Sequence, residues 1–579
     1  MSWLFGVIGK YSTAETEKFE SIHGKPIHKI QSNNIYIAAG GIKETCLCSV
    51  EVEPSNESIG WLACGVGICH EGNHFSLMTS AHWQKLLSQP SPPFQNLNGH
   101  FAVIKWTENQ VTCYTDQLGF RNLFLTKTAD YSAFSTRLDW IAKLKGDCRI
   151  DFKEFGSRWL LVNQLSHESI VTKTNRLTQG GIAECTPASI SFRNQPWERN
   201  MPFDLPDAGF EDVLRDMVLF PLRNNQRLSL ALSGGVDSRV LLSILLSGKI
   251  DQWSVHTVGA ADDPDVQIAK RISAELNVEH QFFNPPFPGR DEIPNLIRDY
   301  VGQTMVRLPA SHFVKHRYYS SLHDQDKIVI DGGQGEVVRR EFFNRLRLYG
   351  GKMVAKGSNI EEIYPLIFRD RAPVFNNDIM MIMKDNALSK IRRLREDLPP
   401  VKSVGLAHWL DLFIIRTGFP NTTNLEQSRS DAELVNFMPF AQPSLLRKLF
   451  DVPVRERNNG KLFLKIVKQN GRGLSKYMRV KNGVMFPFQL STLASRVLIN
   501  INHKLGRSYS DPTPARFLES LSDFVQDTAR SDGVRNCEYY DHPQILKIVD
   551  GFYGGNKGLA HELDWWLAFE IWRQAVYGK

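Results

Sequence analysis

The sequence predicts a two-part α/β protein: a strand-rich first third, then a parallel sheet with helical crossovers and a helical extension. Three observations carry this expectation. Runs such as NIYIAAGGI, HFAVIKW and QVTCYTD, all within the first 195 residues, alternate apolar and polar positions between Gly, Asn and Pro signals. From about residue 205, short apolar strands (RLSLALS, QWSVHTVGA, KIVIDGG) alternate with helical patterns, as in a parallel sheet. From about residue 375 the pattern is mostly helical. It ends in LDWWLAFEIWRQAVYG, where Leu563, Trp566, Leu567, Glu570 and Trp572 fall on one helix, its tryptophans read as core packing.

At 579 residues the chain exceeds one hydrophobic core. The polar turn Arg193-Asn194-Gln195-Pro196-Trp197 marks the expected boundary, giving domains 1–195 and 196–579. Charged residues at 23% and apolar residues at 42% are ordinary for a globular protein. No apolar run approaches the ~20 residues that span a bilayer. The start, MSWLFGVIGKYS, lacks the basic n-region of a signal peptide, so a cytoplasmic protein without a membrane partner is expected. The net charge of +7 is modest, and no nucleic-acid motif accompanies it. Of the local basic clusters, Lys390, Arg392, Arg393 and Arg395 read as an exposed helix face. Arg339, Arg340, Arg345 and Arg347 follow a Gly-rich loop, where a phosphate or carboxylate role is open. Seven of eight cysteines lie before residue 186 with no C-x-x-C pair, so they read as buried strand thiols; Cys69-His70 beside Cys64 is a weak ligand hint.

The chemistry concentrates in RLSLALSGGVDSRV, residues 227–240. A buried strand ends at Leu232. Ser233-Gly234-Gly235-Val236-Asp237-Ser238 then forms a tight turn, and Val240, Leu241, Leu242, Ile244, Leu245 and Leu246 supply the stripe of a following helix. Strand, Gly-rich turn and helix aim backbone N–H groups and a helix N-terminus at an anion. Ser233 and Ser238 add hydroxyls, and Asp237 beside phosphate implies a bridging Mg²⁺. The Walker spacing and its lysine are absent.

The six-residue turn resembles the pyrophosphate loop of the PP-loop ATP pyrophosphatases. Two further segments extend the likeness: Asp331-Gly332-Gly333-Gln334-Gly335-Glu336 after the strand KIVI, and Gly460-Lys461-Leu462-Phe463-Leu464-Lys465 on a predicted helix. Their order resembles the synthetase domain of the asparagine synthetase family, which includes β-lactam synthetases, carbapenam synthetase and lasso-peptide cyclases. In the first third, Asn98-Gly99-His100-Phe101-Ala102 and Asp116-Gln117-Leu118-Gly119-Phe120-Arg121 resemble that family's glutaminase-type domain, an Ntn-hydrolase-like sandwich. The resemblance implies that Ser233, Gly234, Gly235, Asp237 and Ser238 hold the pyrophosphate of ATP. Leu232, Val258 and Gly332 would line the adenosine pocket through their backbones. Asp237 and Glu336 would hold Mg²⁺, with Glu336 in place of the usual aspartate. Lys461 would be the catalytic lysine, stabilising charge on the α-phosphate. Read without the family, Lys461 and Lys465 are surface lysines of an amphipathic helix.

Departures point to the glutaminase-inactive branches. Gly333 stands where asparagine synthetases carry the glutamate of Ser-Gly-Glu-Gly, and the tyrosine of the β-lactam synthetases is missing too. Ser2 holds the place of the nucleophilic cysteine that a class II glutaminase needs. No Asn-Gly-Glu glutamine clamp occurs; the comparable region reads GWLACGVGICHEG. The resemblance therefore implies an ATP-dependent amide-forming ligase. It would adenylate a small-molecule or peptide carboxylate and pass the acyl group to an amine, releasing AMP and pyrophosphate, and a homodimer is compatible with it. Asparagine synthesis from glutamine or ammonia and a non-catalytic ATP-binding scaffold are the alternatives. Sulfur insertion into tRNA is disfavoured, because residues 186–536 hold no cysteine. His280, Arg339 and Glu426 are candidate substrate contacts.

Overall fold

The computed structural model describes residues 2–52, 58–72, 74–199, 208–356, 360–369, 371–422, 430–471 and 473–577. Glu426 lies outside them.

Two antiparallel sheets face one another in the first third. One runs in the order Asn175–Leu177, Leu123–Lys127, Tyr131–Ser135, Trp3–Gly9, Ile35–Gly40, His28–Gln31. The other runs Ile190–Arg193, Ile182–Cys185, Gln110–Thr115, Asn98–Thr107, Ser58–Glu71, Cys46–Val52, with His74–Leu77 beside Ser58–Glu71. Period-two alternation gives each strand an apolar face, and the inner faces meet through Leu4, Ile37, Leu62, Ile104 and Phe134. The thiols of Cys46, Cys64, Cys113 and Cys185 are buried in this layer and unbridged, in line with the sequence reading, whereas Cys48 and Cys69 are only half-buried in their strands and Cys148 is buried outside any strand.

The outer face of the first sheet, including Phe5, Val7 and Tyr36, is covered by helices. One of them is the C-terminal helix Ala560–Tyr577. Its residues Trp566, Phe569 and Trp572 share a core with Phe155 and Trp159 of the first third. The tryptophans are packing residues, and the end of the chain closes the sandwich at its beginning.

The second half centres on a five-stranded parallel sheet: His280–Phe283, Trp253–Val258, Arg227–Ala231, Lys327–Ile330, Asn436–Phe437. Burial on both faces explains the uninterrupted apolar runs KIVI and LSLAL. All five strands run the same way, so the turns after Ala231, Val258 and Ile330 emerge at one edge, where open α/β sheets bind ligands. Trp197, at the expected boundary, is fully buried; its carbonyl accepts from Arg416 Nε at 3.2 Å and its ring lies against Phe450. The boundary turn is thus anchored on the second half.

One basic cluster needs correction. Arg392, Arg393 and Arg395 are exposed on the helix Asn377–Asp397, but Lys390 is largely buried and pairs with Glu154 of the sandwich. Periodicity cannot reveal that this turn of the helix faces another part of the chain. No helix of the described residues is long and apolar enough to cross a membrane.

Candidate functional site

The Ser233–Ser238 turn is held by its own hydroxyls. Ser233 N donates to Ser238 Oγ (3.2 Å), and Gly235 N donates to Ser233 Oγ (3.2 Å). Gly234 N donates to Asp265 Oδ1 at 2.7 Å. Arg239, buried behind the turn, donates to the carbonyls of Gly234 (3.1 Å) and Tyr477 (2.9 Å). The helix Val236–Ser247 starts at once, with Gly235 as its N-cap. The dipole and first N–H groups of that helix face the same edge as the turn. A Cβ on Gly234 would sit 2.3 Å from Val480 Cγ2, so only glycine fits there.

The Asp331–Glu336 turn lies directly against the first. A Cβ at Gly332 would be 2.9 Å from Ser238 N, and one at Gly335 would be 2.5 Å from Asp237 Cγ. Both glycines are therefore required for this contact. It brings Asp237 and Glu336 together: burial, and then the charge of Asp237, push the Glu336 carboxyl above the usual carboxylate range. Two carboxylates close enough to perturb one another, at a helix N-terminus, suit a hard cation such as Mg²⁺.

Arg339 shares that position. Its Nε and Nη2 donate to Asp237 Oδ1 and Oδ2 at 2.7 and 3.0 Å, and its Nη1 pairs with Glu341. Glu341 is held below its ordinary range by Arg339 and then Lys481, against the opposing effect of burial. Arg340, by contrast, is buried on Asp411, where Arg457 also docks (2.9 Å); it is a structural arginine.

Leu232 and Val258 fall at the same edge. Leu232 N donates to His256 O (2.8 Å), and Leu232 O accepts from Thr257 Oγ1 (2.8 Å). Val258 ends the adjacent strand, beside a cavity of ≈ 170 Å³ whose walls include Gly259, Asp263, Asn284, Lys315 and Arg516. His280 donates to or accepts from Thr257 Oγ1 at 3.1 Å, which occupies one ring nitrogen within the sheet. Lys461 is exposed at the first turn of the helix Lys461–Asn470. The preceding Gly460 has φ of 70°, and its Cβ position lies 3.7 Å from Arg339 Cβ. The turn carrying Lys461 therefore abuts the Arg339–Glu341 segment. Lys465 instead faces outward and pairs with Glu211 at 3.3 Å, as a surface lysine does. Asp265, Arg239, Glu341 and Lys481 escaped the sequence reading; the run Asp262-Asp263-Pro264-Asp265, a helix start just after the second strand, was the available signal.

In the sandwich, Ser2 is fully buried. Its N and Oγ each donate to Asp431 Oδ1 at 3.0 Å, and its carbonyl accepts from Arg121 Nη1. Asp431 Oδ2 pairs with Arg121 and lies 3.3 Å from His100 Nε2. Burial and the Arg121 charge hold His100 far below its usual range, so it is neutral. Asp116 accepts backbone N–H groups of Leu118, Phe120 and Arg121 at 3.1, 3.0 and 2.8 Å, which shapes the Asp116–Arg121 turn.

The ligand hint at Cys69-His70 resolves differently. His70 packs on Phe75, while Cys69, Glu71 and His82 come together. Thr79 N–H donates to His82 Nδ1 (3.0 Å) in the cap of the helix Ser80–Leu87, so Nε2 carries the proton and donates to Glu71 at 2.8 Å. Hydrogen bonding accounts for this trio.

Comparison with known proteins adds one family. A family model described as asparagine synthase matches residues 209–319, which contain the Ser233–Ser238 turn and the strand ending at Val258. This supports the asparagine synthetase family and assigns no branch. No curated protein matches significantly. Two solved structures are similar at 10% identity. One, described as the allosteric regulatory enzyme of purine biosynthesis, aligns over 50% of this chain and 82% of its own with a TM-score of 0.24. The other, glutamine phosphoribosylpyrophosphate amidotransferase from B. subtilis complexed with ADP and GMP, aligns over 58% and 77% with a TM-score of 0.23. Likeness at that TM-score carries no argument here.

Proposed function

We propose that the chain is an ATP-dependent carbon–nitrogen ligase that adenylates a substrate carboxylate and transfers the acyl group to an amine. The observation that carries this reading is the contact of the two glycine turns, with Gly332 and Gly335 pressed on Asp237 and Ser238. That contact assembles an anion-binding helix start and a pair of carboxylates at one sheet edge. The family match over residues 209–319 supports the coarser reading of an asparagine synthetase-like ligase.

In the proposed reaction a carboxylate oxygen attacks the α-phosphorus of ATP. The bond from that phosphorus to the bridging oxygen breaks, and pyrophosphate leaves with the electron pair. An amine nitrogen then attacks the acyl carbon and expels AMP, losing one proton. Asp237 and Glu336 are the residues that would hold Mg²⁺, which when bound neutralises phosphate charge. Ser233, Gly234, Gly235 and Ser238 would cradle the pyrophosphate. The backbones of Leu232, Val258 and Gly332 would flank the adenosine. Lys461 would place a fixed ammonium near the developing charge, with most of the benefit coming from preorganisation.

The sandwich domain, in this reading, supplies no ammonia. A nucleophile needs a free hydroxyl and room for its substrate, whereas the Ser2 Oγ is bound to Asp431 in a buried ionic cluster. The grip of Arg339 on Asp237 favours a second reading, a nucleotide-binding scaffold, because the guanidinium competes with a cation for the same oxygens.

Pyrophosphate release from MgATP, measured against a panel of carboxylates with and without amines, ammonia or glutamine, tests the proposal. Release that depends on one acid supports the ligase. ATP binding with no release for any acid supports the scaffold, and stimulation by glutamine would contradict the role given to Ser2.

A further inference from the structure

Two segments of the second half carry no acidic residue: 342–360, with four Lys/Arg, and 457–510, with eleven. Several of these cations are used internally: Arg457 on Asp411, Lys476 on Glu275, Lys481 on Glu341. Around the helix Thr492–Lys504, Lys504 and Arg507 are exposed while Arg496 is half-buried, and Val497, Ile501 and Leu505 between them are exposed.

Val497, Ile501 and Leu505 recur every four residues and are 53, 48 and 57% exposed. That spacing puts Val497 and Ile501 on one face of the helix, and Leu505, its C-cap, follows them. The opposite face is anchored: Ile499 packs with Val484 and Phe486 of the hairpin beneath. At the free end Ile501, His503, Lys504, Leu505 and Arg507 are all exposed, so apolar and cationic side chains interleave. Arg496 Nη2 donates to Asn344 Oδ1 at 2.9 Å, tying the helix to the second acid-free segment. There Leu348 and Tyr349 are 54 and 69% exposed, beside exposed Arg345 and Lys352. Most large apolar side chains of a globular protein are buried, and exposed ones are usually scattered. Here five are concentrated on two segments joined by the Arg496–Asn344 hydrogen bond, with exposed cations beside them in sequence.

We propose that this surface docks peripherally on an anionic lipid bilayer, with Val497, Ile501, Leu505, Leu348 and Tyr349 in the interface and Arg345, Lys504 and Arg507 among the headgroups. The chemistry is that of interfacial amphipathic helices, in which an apolar face enters the headgroup boundary and cations flank it. A second copy of the chain is a poor occupant, because two such surfaces carry the same charge. The inference is independent of the ligase reading. Thr492 Oγ1 donates to Asn459 O at 3.4 Å, so the surface lies next to the turn that carries Lys461.

The test is sedimentation of the full chain with phosphatidylcholine vesicles, and with vesicles holding one third phosphatidylglycerol. Binding to the anionic vesicles should exceed binding to the neutral ones at least tenfold and fall as salt is raised. Ile501→Asp with Leu505→Asp should lower it tenfold or more at an unchanged melting temperature, since both side chains are already in water. Lys504→Glu with Arg507→Glu should remove the preference for anionic lipid. Failure to bind either vesicle overturns the proposal, as does binding indifferent to the double aspartate variant. Capture by immobilised polyglutamate without vesicle binding overturns it in favour of an acidic protein partner.

Discussion

Asp431 Oδ1 accepts both the backbone N–H and the hydroxyl of Ser2, 429 residues away in sequence, at 3.0 Å each. The same carboxylate pairs with Arg121, and Thr45 Oγ1 donates to the Asp431 carbonyl at 2.6 Å. One side chain from the second half of the chain thus completes a buried polar cluster in the first.

Removing Asp431 should be far more harmful than removing the Ser2 hydroxyl. Asp431→Ala strips the buried Arg121 guanidinium of the carboxylate it pairs with, and breaking a buried pair costs on the order of 3–5 kcal/mol. Ser2→Ala loses one hydrogen bond of about 1 kcal/mol and keeps the backbone contact. Chemical denaturation of both variants gives the comparison. Pyrophosphate release by Ser2→Ala should match the parent protein, and a Ser2→Ala protein without activity would revive glutamine hydrolysis.

The two glycines between the turns should tolerate no side chain. Gly335→Ala puts a Cβ 2.5 Å from Asp237 Cγ, and Gly332→Ala puts one 2.9 Å from a backbone nitrogen. Either must push the turns apart, so pyrophosphate release should fall at least a hundredfold. Gly351→Ala is the control: its Cβ would lie 3.0 Å from Leu406 Cδ2, the end of a flexible side chain. It should leave release unchanged. Equal activity in all three proteins would remove the turn contact from the site.

These turns were legible because their chemistry is local. Six consecutive residues encode Ser233–Ser238, between a mostly apolar strand and a helix with an apolar stripe. The Asp265 carboxylate on Gly234 N was not legible, since an aspartate early in a helix reads as an N-terminal cap or solvated charge. The separation of Lys461 from Lys465 needed the fold, because both occupy one amphipathic helix and only Lys465 meets Glu211. Lys390 misled for the same reason: its partner Glu154 comes from 236 residues earlier. Pairs across the two halves, Ser2 with Asp431 above all, leave no trace in periodicity.

Stability should depend on pH through Asp564. This carboxyl is fully buried, accepts from the backbone and the hydroxyl of Ser311, and burial pushes it up to about 7. The folded state therefore binds a proton more tightly than the unfolded chain, whose aspartate titrates near 4. The resulting stabilisation is fully present below the unfolded value and is lost as pH rises through about 7. Denaturation midpoints should drop between pH 5 and 8 by an amount on the order of 2 kcal/mol. Asp564→Asn keeps the acceptor for Ser311 N–H and should flatten that dependence. An equally steep profile in the variant would assign the effect to another group.

In the proposed ligase, Arg339 would set how easily a cation reaches Asp237. Its guanidinium binds both carboxylate oxygens, and bidentate arginine–carboxylate pairs are among the stronger charge-assisted contacts. If Asp237 holds the divalent ion of the proposed reaction, that ion would have to displace a resident charge, and the displaced guanidinium would be available to phosphate oxygens. Arg339→Met removes the competitor while Lys481 continues to neutralise Glu341 at 2.5 Å. The expected result is a split between binding and turnover. Mn²⁺ affinity without nucleotide, read by electron paramagnetic resonance, should rise at least tenfold. Pyrophosphate release should fall at saturating ATP, because a cation that stabilises the leaving group is gone. Arg339→Lys keeps the charge but not the two-point contact, so it should raise Mn²⁺ affinity while recovering part of the release. Unchanged Mn²⁺ affinity in both variants would mean that Asp237 is not the cation ligand and that its partnership with Arg339 is structural.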